Sequence, residues 1–203
     1  MKASAMFFRL LDRFQYIAGF IAIRILPLLN AGRVELGRNP RVVGVPVVRA
    51  GTGSRIVLGD KVSLVSSNLS YHAQMFAPVK IFADRPGAVI TIGDNTRING
   101  ACLHAWKSIT IGRNCLIAAN VQIMDANGHD LCMDAPERRL VTPDTPTPIT
   151  IGDNVWIGLN SIVLPGTKLG DGCVVAAGSV VKGDFAAGSI IGGVPAKVIR
   201  EAS

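Results

Sequence analysis

The chain has 203 residues and a mass of 21.4 kDa, which suits one domain with a short appendage. Apolar residues make up 49% of it and charged residues 17%, which excludes a disordered tail or linker protein. Aromatic residues supply only 5%, while 22 residues are glycine, so the core must be built from Val, Ile, Leu and Ala. This composition favours thin, regular layers over a core packed around bulky rings.

Charge is concentrated at the start of the chain. Residues 1–55 contain nine Lys/Arg and two acidic residues, whereas residues 56–203 contain twelve of each. A basic segment of this kind attracts anionic partners. The four cysteines form no CxxC pair, and we expect them to be reduced thiols of a cytosolic protein: Cys102, Cys115, Cys132 and Cys173.

Residues 5–29 place apolar side chains three and four positions apart, which predicts an amphipathic helix that ends near Pro27 within an N-terminal unit, 1–32. Arg9, Asp12, Arg13 and Arg24 interrupt the apolar run, which excludes a membrane span and a signal peptide. Nucleic-acid binding is not expected, because the phenylalanines lie on a continuous apolar stripe rather than between basic residues.

Two roles remain open for this helix. In the first, it caps the rest of the protein or packs between subunits. In the second, it lies on an anionic membrane surface with its arginines at the headgroups, which adds peripheral contact with the inner face of the plasma membrane to the expected cytoplasmic location.

From residue 88 onward an aliphatic side chain recurs every six positions. A period of six fits no α-helix, but it is typical of short strands joined by tight turns and of parallel β-helices. Three such hexads make one triangular coil around a thin aliphatic column. The in-phase residues are Ile92, Ile98, Ile111, Ile117, Ile123, Ile151, Ile157, Val163, Leu169, Val175 and Val181, with a weaker echo at Leu58 and Leu64.

The stretch ITIGDNVWIGLNSIVLPGTKLGDGCVVAAGSVVKGDFAAGSIIGGVPAKVIR, residues 149–200, resembles the hexapeptide-repeat acyltransferase family. It is most similar to maltose, galactoside and nodulation-type sugar O-acetyltransferases and to acetyltransferases of polysaccharide biosynthesis. The resemblance implies an all-β fold, a left-handed parallel β-helix over residues 33–200, assembled as a homotrimer. It also implies acetyl-CoA as the acyl donor, a sugar hydroxyl as the acceptor, and no metal.

The six-residue register breaks at residues 66–88 and again at residues 124–148, a polar, Pro-rich segment that we interpret as one long protruding loop. Long loops within a regular scaffold are usually functional. This loop opens with Asn127-Gly128-His129-Asp130. Acyl transfer to a hydroxyl needs a base whose pKa lies near neutral pH, and histidine is the side chain that best meets this requirement. In the resembled enzymes a histidine in a similar Gly-His context is the general base, which assigns that role to His129.

The other two histidines, His72 and His104, lack a motif and are weaker candidates. The acceptor that orients the His129 ring is left open between Asp125, Asp130 and a backbone carbonyl. Backbone N–H groups at a coil corner are the expected oxyanion donors.

Three further residues are candidates for substrate binding. Asn99 lies at a position similar to an acceptor-contacting asparagine of the family, with a corner asparagine in a left-handed turn as an equal alternative. Asp125 stands at the base of the loop. Arg138, with Arg139 beside it, meets an anionic acceptor in one interpretation and is solvated surface in the other.

For acetyl-CoA, the resemblance implies contacts along the coil wall between two subunits. The matching positions are Trp156, Gly158, Ala177, Lys182 and Arg200. Trp156 is expected to face outward over the pantetheine, and Lys182 and Arg200 to pair with the phosphates.

Two other functions are alternatives to the acetyltransferase. A γ-class carbonic anhydrase would need two histidines a few residues apart, which the spacing of the three histidines does not supply. A non-enzymatic β-helix scaffold remains an alternative, and it predicts that His129 is dispensable.

Overall fold

A computed structural model describes residues 2–201, so the first residue of the N-terminal unit 1–32 lies outside the described residues. Within this range the chain forms one helix, α1 (Lys2–Leu29), and then a succession of short strands. The strands are β1 Arg33–Leu36, β2 Arg41–Val43, β3 Val47–Ala50, β4 Arg55–Leu58, β5 Ser63–Val65, β6 Lys80–Ala83, β7 Val89–Ile92, β8 Arg97–Asn99, β9 Cys102–Ala105, β10 Ser108–Ile111, β11 Leu116–Ile117, β12 Gln122–Met124, β13 Ile149–Ile151, β14 Trp156–Ile157, β15 Ile162–Val163, β16 Lys168–Leu169, β17 Val174–Val175, β18 Val180–Val181, β19 Asp184–Phe185, β20 Ile190–Gly193 and β21 Ala196–Arg200.

The strands form three sheets that wrap into a prism. The first sheet has the order β1-β4-β7-β10-β13-β16-β19, the second β2-β5-β8-β11-β14-β17-β20-β21, and the third β3-β6-β9-β12-β15-β18. Neighbours pair in parallel, except for the antiparallel pair β20 and β21. Each coil therefore runs through the first, second and third sheet in turn, which confirms a strand-rich parallel architecture behind one N-terminal helix.

The six-residue spacing marks the interior column. Every in-phase aliphatic from Ile92 to Val181 is at most 2% exposed, and so are Leu58 and Leu64. The first coil continues the six-residue spacing with Leu36, Val42 and Val48. These three residues are not predicted from the sequence, because three repeats are too few to establish a period. The expected break at 66–88 is also too long, because β6 resumes the wall at Lys80.

Corners between the first and second sheets are built from a repeated Gly-x-Asn. Asn95, Asn114 and Asn154 adopt a left-handed backbone with φ between 57° and 58°. A Cβ on Gly93 would lie 2.6 Å from the carbonyl carbon of Gly112, so only glycine lets adjacent coils approach this closely.

Helix α1 closes the open end of the prism at the first coil. Ile23 is 2% exposed and joins the interior column, and the backbone N–H of Gly44 donates to the carbonyl of Gln15 (3.1 Å). The helix runs two residues past Pro27, where the Asn30 side chain donates to the carbonyl of Leu26 (2.5 Å) and accepts the N–H of Ala50 (2.5 Å). The edge strands are thereby covered, as exposed sheet edges require.

The four cysteines are free thiols. Burial raises the pKa of Cys102, Cys115 and Cys173, so these thiols stay protonated at neutral pH. Over residues 2–201, α1 included, no helix has the length and apolar character needed to cross a membrane.

Replacing Ile117 by Ala tests the column. Ile117 is fully buried in the fourth coil, so we expect the free energy of unfolding to fall by about 2–5 kcal/mol. The matched control is Thr110→Ala on the outer face of β10, for which a loss below about 1 kcal/mol is expected. Denaturant unfolding at one fixed protein concentration measures both, and equal losses would contradict the assignment of the column.

Candidate functional site

An apolar groove of about 350 Å³ runs along the outer face of the second sheet, across β11, β14 and β17. Trp156, Gly158 and Ala177 line it, and the Trp156 side chain faces outward with the residue 51% exposed. Three of the five residues predicted to hold acetyl-CoA are therefore brought together on one wall.

The opposite lip of the groove comes from the segment between β5 and β6. Tyr71 and His72 line the groove there, with their ring centroids 4.5 Å apart. Burial raises the pKa of the Tyr71 phenol, which keeps it a neutral hydrogen-bonding group. Neither residue is predicted from the sequence to be part of this wall, and the register break at residues 66–88 is the signal that points to the segment.

Asn120 holds this segment in place. Its side-chain oxygen accepts the N–H of Phe76 (2.8 Å), and its amide donates to the carbonyl of Gln74 (3.1 Å) and to Asn160 Oδ1 (3.0 Å). Asn120 has a left-handed backbone with φ 62° at the corner between the second and third sheets. The groove lip is thus tied to the wall that it faces.

The long loop leaves the prism at a different corner, where the third sheet meets the first. It spans the residues between β12 and β13 and includes one 3-10 turn, Pro136–Leu140. Asp144 accepts the N–H of Asn127 (2.7 Å), and the N–H of Asp130 donates to the carbonyl of Thr142 (3.0 Å). These bonds fix both sides of the short segment that carries His129.

His129 itself is exposed to solvent. Within residues 2–201 its ring has no hydrogen-bond partner, so no orienting acceptor is identified in a single chain. Asp130, one of the expected acceptors, instead accepts the N–H of Cys132 (2.7 Å), and this bond lowers the pKa of its carboxyl.

Asp125 is a structural anchor, which corrects the expectation that it contacts substrate. The residue is 0% exposed, and its carboxylate accepts three backbone N–H bonds, from Trp106 (2.8 Å), Lys107 (2.8 Å) and Ser108 (2.7 Å). Neither carboxylate oxygen is therefore exposed to solvent. Asp125 instead fixes the point at which the loop leaves the third sheet.

Asn99 is not the left-handed corner asparagine that one interpretation of the sequence expects. It is 0% exposed, and its amide donates to the carbonyl of Ile117 (2.9 Å). Its Oδ1 is buried and finds no hydrogen-bond partner among the described residues. The left-handed residue at this corner is its neighbour Gly100, with φ 48°.

The remaining predicted residues lie apart from the groove. Arg138 is exposed in the 3-10 turn of the loop, without an ion-pair partner in the described part of the chain. Arg139 donates to the carbonyl of Leu131 (2.6 Å) and so braces the loop. Lys182 follows β18 at the corner of the third and first sheets, and Arg200 ends β21; neither lines the groove.

His104 belongs to a separate cluster on the third sheet. Its ring stacks on Phe82 with centroids 4.9 Å apart, and its Nε2 lies 3.3 Å from Asp84 Oδ1. Across the described range, no group of three or more His, Cys, Asp or Glu side chains is arranged to hold a metal ion.

The groove and His129 therefore lie at different corners of one prism. The groove occupies the second sheet and its corner with the third, and no residue of the long loop lines it. The loop departs after β12 in the fourth coil, and the groove spans the fourth to sixth coils, so both lie at the same level along the prism.

Comparisons with known proteins agree with this architecture. The family model for the hexapeptide repeat of succinyl-transferase matches residues 89–124 and 148–182. A solved hexapeptide-repeat-containing acetyltransferase from Vibrio cholerae O1 biovar eltor, complexed with acetyl coenzyme A, is 34% identical, with a TM-score of 0.51; the match covers 60% of this chain and 68% of that one. The chain belongs to the hexapeptide-repeat family of acyltransferases.

Two other members of this family are informative. A putative lipopolysaccharide biosynthesis O-acetyl transferase of Escherichia coli K12 is 41% identical over 122 residues, which cover 56% of this chain and 61% of that protein. A galactoside acetyltransferase solved with coenzyme A is 25% identical, with a TM-score of 0.51, and the match covers 88% of this chain and 68% of that one. The chain spans 61% or less of the length of the curated relatives it matches.

Asn120→Gly tests the anchoring of the groove lip. Glycine keeps the left-handed backbone but removes three hydrogen bonds, so we expect faster proteolysis within residues 66–79 and a loss of about 1–3 kcal/mol in stability. Asn114→Gly is the matched control, because Asn114 has φ 57° and its side chain makes one hydrogen bond among the described residues, which it accepts from Asn95 (2.9 Å). Identical proteolysis of the two variants would show that Asn120 does not hold the lip.

Proposed function

We propose that this protein is an acetyl-CoA-dependent O-acetyltransferase that acetylates a hydroxyl of a sugar or a sugar-containing envelope polysaccharide precursor. Membership of the hexapeptide-repeat acyltransferase family supports the reaction class, and it is also our reason for proposing a left-handed coil. The observation that carries the proposal is the apolar groove beside Trp156, in which three of the five positions that match the family's CoA contacts meet on one wall.

The chemistry of the groove suits a pantetheine chain. Its lining is largely apolar, as the methylene and thioester groups require, and Trp156 supplies a broad exposed ring. No hydrogen bond from the backbone N–H of Ala177 is found within residues 2–201, so this donor is available for an amide carbonyl of the donor substrate. Lys182 and Arg200 do not line this groove. In the assembled oligomer they are proposed to pair with the phosphates of CoA.

His129 is proposed as the general base. Its imidazole accepts the proton of the acceptor hydroxyl while that oxygen attacks the thioester carbonyl carbon. The carbon–sulfur bond then breaks, the acetyl group stays on the sugar oxygen, and the imidazolium returns its proton to the leaving thiolate. Backbone N–H groups are the proposed oxyanion donors.

A homotrimer would complete the site. Within one chain the groove and His129 lie at separate corners, whereas a neighbour placed beside the prism can bring its loop against the groove. The loop also exposes Leu131, Met133, Leu140 and Val141 by 68–84%, and a partner wall would cover these side chains. A closed ring of three chains supplies three such sites.

His129→Ala tests the base. We expect turnover with acetyl-CoA to fall about 10²–10⁴-fold, because one general-base interaction is removed, while CoA binding is kept. Cys132→Ser is the control, since direct transfer needs no thiol nucleophile, and it should keep its rate within about twofold. Thiol release with free, nucleotide-linked and lipid-linked sugars measures both. Full activity in His129→Ala would overturn the assignment of His129 as the base, whereas a wild-type protein that releases no thiol with any of these acceptors would favour the non-enzymatic scaffold.

Subunit complementation tests the divided site. Ala177→Trp should block the groove and His129→Ala should remove the base, so each variant alone is inactive. Mixed and reassembled chains should recover about one quarter of wild-type activity, because one site in four pairs an intact loop with an intact groove. No recovery in reassembled mixed trimers would place both elements of each site in one chain.

A further inference from the structure

Helix α1 carries an apolar face that the prism does not cover. Its packed side holds Gly19 and Ile23 against the first coil, whereas large side chains on the opposite side are 41–83% exposed. They recur at helical spacing and form what we name the α1 stripe: Leu10, Phe14, Ile17, Ile21, Ile25 and Leu28. Because α1 caps the end of the prism, the stripe faces away from it along the coil axis.

Two arginines flank the stripe on the exposed side of the helix. Arg13 and Arg24 are both exposed, and the Arg24 guanidinium lies 3.7 Å from the centre of the Phe20 ring. Asp12, the one acidic residue of α1, lies toward the packed side and is only partly exposed. An apolar stripe flanked by arginines matches an anionic lipid surface, where the stripe enters the acyl boundary and the cations meet headgroups.

A second copy of α1 fits the stripe less well. The residues Leu10, Phe14, Ile17 and Ile21 follow the spacing of a coiled-coil seam, but the next seam position is Arg24. Packing copies of α1 along this seam would bring identical positive charges together. At a bilayer the same side chain extends to the headgroups instead.

We propose that the α1 stripe docks this protein on an anionic membrane surface with the prism standing upright. The orientation rests on the proposed function: the loop and the groove lie at the same level, so a ring that joins them keeps the three prisms side by side and pointing the same way. All three stripes then face one plane, and their weak individual contacts act together.

This orientation sets the height of the reaction. The first and fourth coils are separated by three strand spacings of about 4.8 Å, and α1 adds a thickness of about 10 Å. The base of the His129 loop then stands roughly 25 Å from the lipid-facing side of α1. An acceptor hydroxyl at that height belongs to an extended lipid-linked glycan rather than to a sugar at the headgroup.

Co-sedimentation of the full chain with phosphatidylcholine vesicles, with and without phosphatidylglycerol, tests the docking. We expect binding only to vesicles that contain phosphatidylglycerol. The vesicle affinity should fall about tenfold or more in the stripe variant Phe14→Gln/Ile21→Gln. It should fall about fivefold for each arginine removed in Arg13→Gln/Arg24→Gln. Ile199→Gln replaces an aliphatic residue that is 66% exposed near the other end of the prism, and it should bind as wild type does. Unchanged binding of the stripe variant would overturn the proposal. The proposal would also be overturned if the wild type did not bind vesicles and the stripe variant dissociated into smaller oligomers.

Two readouts separate this proposal from the proposed function. The stripe variant should keep wild-type thiol release with a soluble acceptor, and His129→Ala should keep its vesicle binding. Lipids brominated on their acyl chains should quench a tryptophan introduced by Phe14→Trp but not the native Trp106 and Trp156. Quenching of the native tryptophans with no added quenching in Phe14→Trp would refute the upright orientation.

Discussion

Everything in this molecule depends on coils of equal length stacking in register. Each coil donates its backbone N–H groups to the carbonyls of the next, as in the bonds from Gly93 to Ile111 and from Gly112 to Ile151 (both 2.8 Å). The same stacking puts one aliphatic side chain above another, so the hydrogen bonds and the apolar column reinforce each other. A residue inserted within a strand would break both, which leaves the corners as the places where the chain can add length.

The two inserted segments follow this rule. The segment after β5 and the loop after β12 both leave at corners, and the ladder resumes beyond the loop with Ile109 opposite Ile149. Each insertion is anchored by one buried polar side chain, Asn120 for the first and Asp125 for the second. Each anchor fixes where an inserted segment meets the rigid scaffold and leaves the side chains further along the segment free to serve the surface chemistry.

Separate corners also give the proposed activity its dependence on assembly. A prism presents three walls, and a groove on one wall cannot meet a loop that departs from the opposite corner unless a neighbour supplies it. If the chains stand side by side for that reason, their capped ends share one plane. The proposed site and the proposed membrane contact would then follow from the same arrangement, one at mid-height and the other at the end.

The strand-rich fold, its parallel coils and the central series of core residues follow from local sequence, because one residue in six, as at Ile98 and Ile117, reports burial through periodicity alone. The sequence also located the outward Trp156 and the loop with His129, since both stand out against the repeat. Only the tertiary structure showed that Asp125 and Asn99 are buried and that His72 faces Trp156 across a groove. Those relations join residues on different coils, and a periodic pattern says which way a side chain points but not what a folded insertion brings against it.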